Sequence, residues 1–157
     1  MYIILHNIRS AYNVGAIFRT ADATGVKKIF ITGYTPTPTD RFGRVQPEIK
    51  KTSLGASETI HWQQTTFETA VEQVHTDGAL VVAVEQNSES IDIATFAHQK
   101  EVAYVFGNEI TGIEKTELDL VDVIVELPMM GMKESLNVSV TAGVVMYHEI
   151  FTHNKSL

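Results

Sequence analysis

An α/β domain is the fold class this sequence predicts, on three observations. Short apolar runs rich in β-branched residues alternate with stretches of helical periodicity. No repeat, low-complexity tract or linker divides the 157 residues, so a single domain over 1–157 is expected. Apolar residues make up 44% and charged residues 20%, the balance of a globular protein with a real core.

Tyr2–Leu5 reads as a first strand. Val14, Ile17, Phe18 and Ala21 then recur at helical spacing, which predicts a helix from about Val14 to Thr24. Asn13 is its expected N-cap and Gly25 its C′ residue. Lys28–Thr32 is a second strand, and the Gly- and Pro-containing run from Gly33 to Asp40 is a loop. Thr59–Trp62 reads as a short strand. Thr65 with Glu68 has a capping-box spacing, opening a helix to about His75. Ala79–Val84, Val102–Phe106 and Val123–Leu127 are further strands. A last helix spans Leu136 to about Thr152. It is apolar on most faces, which predicts burial within the domain or against a second copy.

Several function classes are excluded early. The chain has no cysteine, which removes disulfides, thiolate metal sites and base methylation through a cysteine adduct. Its histidines show no ligand spacing, so no metal is expected. No run of about 18 apolar residues reads as a membrane span. The N-terminus lacks a signal-peptide pattern, and a cytoplasmic location is the expectation. No GxGxxG turn follows the first strand, against a dinucleotide-binding protein.

Net charge is −7, but its distribution is uneven. Residues 1–55 carry eight bases and three acids; the remainder carries four bases and sixteen acids. Such asymmetry can build a local basic face on an acidic protein.

Three segments combine residues that suit chemistry. Asn13-Val14-Gly15-Ala16-Ile17-Phe18-Arg19 puts an Asn and a Gly at a helix start, where a ligand or second chain could approach the backbone. Val105-Phe106-Gly107-Asn108-Glu109-Ile110-Thr111-Gly112 runs from a strand into a turn with two glycines around a carboxylate. Leu127-Pro128-Met129-Met130-Gly131-Met132-Lys133-Glu134-Ser135-Leu136-Asn137-Val138-Ser139 ends a strand at proline and opens a helix with polar residues. Each alone is also an ordinary cap or turn.

In this order and spacing the segments resemble the signature motifs of the SpoU (TrmH-like) branch of the SPOUT methyltransferases. The matching patterns are NxGxxxR, FGxExxG and PMxGxxxSLNVSxA, and the similarity covers most of the chain. Many relatives carry Asp-Pro before the first Asn; here the run is Ser10-Ala11-Tyr12.

The resemblance implies a mostly parallel sheet flanked by helices, with the C-terminal part threaded into a deep trefoil knot. It implies S-adenosyl-L-methionine held by Val84, Gly107, Leu127, Ser135 and Leu136. It implies a homodimer in which the first motif of one subunit faces the cofactor of the other. It implies methyl transfer to an RNA ribose 2′-hydroxyl, with Arg19 at the reacting oxygen and Asn13, Glu109, Ser135 and Asn137 orienting it; Glu109 could pair with Arg19. The RNA is expected on the basic N-terminal face, with Arg9, Arg41, Arg44, Lys50 and Lys51 as phosphate contacts. No separate RNA-binding extension is expected, and tRNA is favoured over rRNA. The rival readings are a base methyltransferase on the same fold and a non-catalytic RNA-binding module.

Overall fold

The computed structural model of the chain describes residues 1–98 and 100–153. Residues 154–157 of the expected domain lie outside the described ones. In chain order the elements are β1 (Tyr2–His6), α1 (Ala11–Ala23), β2 (Lys28–Thr32), α2 (Pro47–Ser53), α3 (Ala56–Thr59), β3 (Trp62–Gln64), α4 (Phe67–Thr76), β4 (Leu80–Val84), β5 (Ile91–Asp92), β6 (Val102–Phe106), α5 (Lys115–Leu118), β7 (Val123–Glu126) and α6 (Val138–His153).

The seven strands form one sheet in the order β3-β2-β1-β6-β4-β7-β5. Every described pairing is parallel. A parallel sheet is covered on both faces, so its strands read as unbroken apolar runs. Side chains therefore divide by alternation. Ile3, Leu5, Ile29, Ile31, Val102, Tyr104 and Phe106 face a core shared with α1, α2, α3 and α6. Ile4, Phe30, Val81, Ala83, Ala103 and Val105 face a second core under α4. Ile17 and Phe18 of α1 are fully buried in the first core, worth roughly 1.5–3 kcal/mol each.

α6 lies on α1. Ala142, Val145 and Met146 bury its inner face. Glu149, one turn on, accepts a 2.8 Å hydrogen bond from the Tyr104 hydroxyl, which ties the helix to the central strand β6. The outer face is not covered by any of the described residues. Val140, Val144, Tyr147 and Phe151 form one exposed stripe at helical spacing.

Four local expectations are corrected. The N-cap of α1 is Ser10, not Asn13: the Ser10 hydroxyl accepts the Asn13 N–H at 3.3 Å, leaving the Asn13 side chain available for other partners. The strand expected at Thr59–Trp62 is the end of α3 followed by β3, which starts at Trp62. Thr66 rather than Thr65 caps α4, accepting the Thr69 N–H at 3.2 Å. The last helix begins at Val138, so Ser135, Leu136 and Asn137 belong to the loop before it.

Gly15 also differs from expectation. The chain that approaches its backbone is its own α2. A Cβ at this position would lie 2.6 Å from the Ile49 carbonyl oxygen and 2.0 Å from Thr52 Oγ1. Glycine lets α1 and α2 pack at that distance.

Candidate active site

All strands present their C-terminal ends at one edge, where open α/β sheets hold ligands. The loops after β6, β4 and β7 leave that edge side by side. They enclose a pocket of about 220 Å³. Val84, Gly107, Leu127, Ser135 and Leu136, which come from three separate parts of the chain, all line it.

Glu85, Asn108 and Glu126 line it too, and sequence reasoning missed them. The available signal was position: Glu85 and Glu126 are polar residues at the C-terminal ends of apolar strands. With Glu109 they make three carboxylates, and no basic side chain lines the pocket among the described residues. Val84, Phe106, Leu127, Leu136 and Val138 supply apolar wall. This donor set fits a ligand with an apolar body and a positive charge.

Gly107 is also needed for the packing of its own loop. A Cβ there would sit 2.4 Å from Ile113 Cγ1 and 2.8 Å from the Gly112 carbonyl carbon. The close neighbour is the turn that follows. Glu85 holds that turn from the other side, its carboxylate accepting the Ile113 N–H at 2.9 Å. Asn108 braces it from within. Its Oδ1 accepts the Ile110 and Thr111 N–H groups at 2.8 and 2.9 Å. Its Nδ2 donates to the Asn7 carbonyl at 3.0 Å and to the Tyr34 hydroxyl oxygen at 2.7 Å.

Beside the pocket, a chain of hydrogen bonds joins the three motifs. The Glu109 carboxylate accepts the Arg9 N–H at 2.9 Å, the Ser10 N–H at 3.1 Å and the Asn13 Nδ2 at 3.1 Å. Asn13 Oδ1 in turn accepts from Asn137 Nδ2 at 3.2 Å. Asn137 Oδ1 accepts from the Ser139 N–H at 2.8 Å and from its hydroxyl. The Ser139 contacts set the orientation of the Asn137 amide, so its nitrogen faces Asn13. Partial burial pushes the Glu109 carboxyl upward, but the backbone N–H donors led by Arg9, with the Asn13 amide, outweigh it. The group is held below the usual carboxylate range. It is therefore ionised near neutral pH and acts as an acceptor throughout.

Arg19 is not part of this network, and the expected Arg19–Glu109 pair does not form within the chain. From Asn13, six helical residues advance about 9 Å and turn by about 240°, so Arg19 leaves α1 on a different face. It is exposed, and among the described residues it has no hydrogen-bond or ion-pair partner. Tyr12, seven residues earlier and also exposed, shares its face.

The five residues expected to contact RNA fall into three places. Arg9 is exposed beside Glu109, to which its backbone is bonded. Arg41 and Arg44 project from the loop after β2. Lys50 and Lys51 are exposed on the last turn of α2.

Comparison with known proteins agrees with this geometry. Residues 1–147 match the model of the SpoU rRNA Methylase family, and the chain belongs to that family. A 23S rRNA (guanosine-2′-O-)-methyltransferase of Neisseria meningitidis is 31% identical over 147 residues, covering 93% of this chain and 56% of the relative. A tRNA (guanosine(18)-2′-O)-methyltransferase of Borreliella burgdorferi is 28% identical over 156 residues, covering 98% of this chain and 67% of the relative. The S-adenosylmethionine-bound structure of an rRNA methyltransferase from Sinorhizobium meliloti superposes with a TM-score of 0.86 at 26% identity, covering 96% of this chain and 55% of that one. The chain thus spans little more than half the length, 56%, of two curated relatives it matches.

Proposed function

We propose that this chain is an S-adenosylmethionine-dependent methyltransferase acting on an RNA ribose 2′-hydroxyl. The observation that carries the reading is the Glu109–Asn13–Asn137 hydrogen-bond chain, which brings three distant motifs together at the rim of one pocket. The pocket's three carboxylates suit a sulfonium cofactor, whose two positive groups exceed its one carboxylate.

When bound, the cofactor supplies an electrophilic methyl group. This chain's residues do the rest. Leu127, Leu136 and Val84 give the adenine an apolar slot, and nearby main-chain groups read its edge. Glu109, Asn13 and Asn137 lock the start of α1 to the pocket rim. Positioning of this kind supplies a large share of the rate of a bimolecular transfer. A guanidinium is a fixed cation rather than a base, so the role of Arg19 is to stabilise negative charge developing on the ribose oxygen as the hydroxyl proton passes to water.

Arg19 does not line the pocket of its own chain, and the reading therefore needs a second copy. The exposed stripe of α6, next to α1 with its exposed Tyr12 and Arg19, supports a homodimer through these two helices. The same reading carries the trefoil knot. Its support is that the chain leaves β7 near one end of the sheet and returns to lay α6 on α1. A single domain in the cytoplasm, with no metal in the mechanism, completes the proposal.

Of RNA substrates we favour tRNA, because the relative most fully covered by this chain among those named here is a tRNA enzyme. Incubation with labelled S-adenosylmethionine and, in separate reactions, total tRNA and rRNA, then digestion to nucleosides, tests the reading. Label in 2′-O-methylnucleosides is expected; label in a base, or transfer only to rRNA, overturns the corresponding part.

A second expectation concerns the basic face. Changing Arg41 and Arg44 together to Ala is expected to weaken RNA binding and to reduce the slope of log affinity against log salt by about one to two. Anisotropy titrations from 50 to 300 mM salt measure it, and an unchanged slope would move the phosphate path elsewhere.

A further inference from the structure

Phe42 stands out once the site is assigned. It is 67% exposed, among the most exposed aromatic residues of the chain. Two guanidinium groups lie against its ring: Arg41 at 4.8 Å and Arg44 at 5.2 Å from the ring centroid. The backbone beneath it is ordered by Asp40. One carboxylate oxygen accepts the Phe42 N–H at 2.8 Å and the Arg44 N–H at 2.9 Å, and the other accepts from Arg44 Nε at 2.7 Å. Thr39 and Val45 close the base of the loop as an antiparallel bridge. An exposed aromatic ring on a pinned loop has already given up its freedom, so stacking on it costs little further order.

The connection that carries the loop also starts near the chemistry. It leaves the C-terminal end of β2, at the same sheet edge as the pocket and two strands from β6, about 10 Å away by strand spacing. Tyr34, 61% exposed at the start of the same connection, is fastened by its hydroxyl to Asn108, the neighbour of Glu109. An apolar protein partner would leave both guanidiniums desolvated, with a single Asp to pair them. A nucleotide satisfies ring and cations together, with its base on the ring and its phosphates on the arginines.

We propose that the Asp40–Arg44 loop is a nucleobase-stacking platform, on which Phe42 receives an unpaired base of the RNA while Arg41 and Arg44 hold the flanking phosphates. The proposal rests on the RNA reading above and deepens it: the substrate is RNA with a single-stranded loop near the modified nucleotide, not a continuous duplex. Recognition of splayed bases by aromatic rings is how proteins read RNA loops, because the major groove of an RNA duplex is closed to side chains.

The test compares two fluorescein-labelled RNAs of equal length, a hairpin with a seven-nucleotide loop and a blunt duplex, by anisotropy. For the hairpin, Phe42→Ala is expected to weaken binding about 5- to 100-fold, in line with the usual contribution of one stacked base. Duplex affinity and the salt slope are expected to stay unchanged, since no charge is removed. Phe42→Trp is expected to keep hairpin affinity, and Phe42→Leu, which keeps bulk but has no π-face, to lose it. All three replacements fall at one exposed site and leave the core intact. The platform is overturned if Phe42→Ala binds the hairpin as well as the unchanged chain, if it loses duplex affinity equally, or if Phe42→Leu is as good as Phe42. Failure of the unchanged chain to bind either RNA overturns the RNA reading itself, and the platform with it, and points to a protein partner.

Discussion

Replacing Arg19 with alanine is expected to abolish methyl transfer while leaving S-adenosylmethionine affinity within about threefold, roughly 0.7 kcal/mol. The separation follows from geometry. Arg19 lies on a different face of α1 from Asn13, and it is not among the residues that line the pocket of its own chain. It has no partner among the described residues, so its removal is expected to change stability by no more than about 0.5 kcal/mol. In the proposed role, what is lost is a fixed positive charge near the oxygen where negative charge develops; deleting one preorganised group of that kind typically costs about 10²–10³ in rate. Arg19→Lys keeps the charge but not the planar fork and is expected to recover only part of the rate. Single-turnover assays with calorimetric cofactor titrations measure both quantities. Near-normal turnover of Arg19→Ala removes the assigned role.

Gly107→Ala is the second large effect, and it works through the opposite parameter. The added methyl would stand 2.8 Å from the Gly112 carbonyl carbon, inside any real contact, and 2.4 Å from Ile113 Cγ1. Side-chain rotation can relieve the second clash but not the first, so the turn carrying Asn108 and Glu109 must move. That turn is held by Glu85, by Asn108 and by the Arg9 and Ser10 N–H groups, and displacing it strains all of them. Overpacking of this kind costs about 1–3 kcal/mol. Because the strain falls on the pocket wall, cofactor affinity is expected to drop between about fivefold and a hundredfold. Calorimetry with S-adenosylmethionine decides it, and unchanged affinity with a folded protein would mean the turn does not shape the pocket.

The strands were legible because burial on both faces leaves unbroken apolar runs such as Ile3-Ile4-Leu5 and Val81-Val82-Ala83. The pocket residues were legible only by resemblance: nothing in the spacing of Val84, Gly107 and Ser135 says that their loops meet. α2 was not legible, because it spans seven residues, opens on a proline and buries only Ile49 and Ser53, too little for a period. The cap of α1 was misread because Asn13 and Ser10 are equally good N-caps and tertiary structure chose between them; Ser10 ends the helix and frees Asn13 for Glu109. Glu85 and Asn108 went unnoticed for a related reason: a polar residue after a strand looks like any turn until its partners are known. No partner for Arg19 is legible in one chain, because among the described residues it is exposed and makes no hydrogen bond or ion pair.

Mixing two defective variants tests the central claim, that each site is built from the pocket of one copy and the Arg19 of another. Arg19→Ala chains and Gly107→Ala chains are unfolded together, refolded and assayed for transfer to tRNA. The S-adenosylmethionine concentration is kept low enough to leave the Gly107→Ala pocket unloaded. Random pairing makes half the dimers mixed, and each mixed dimer restores one intact site, so the mixture is expected to reach roughly a quarter of wild-type activity from two inactive parents. A mixture no more active than its parents would contradict the account, since Arg19 would then serve the pocket of its own chain or none.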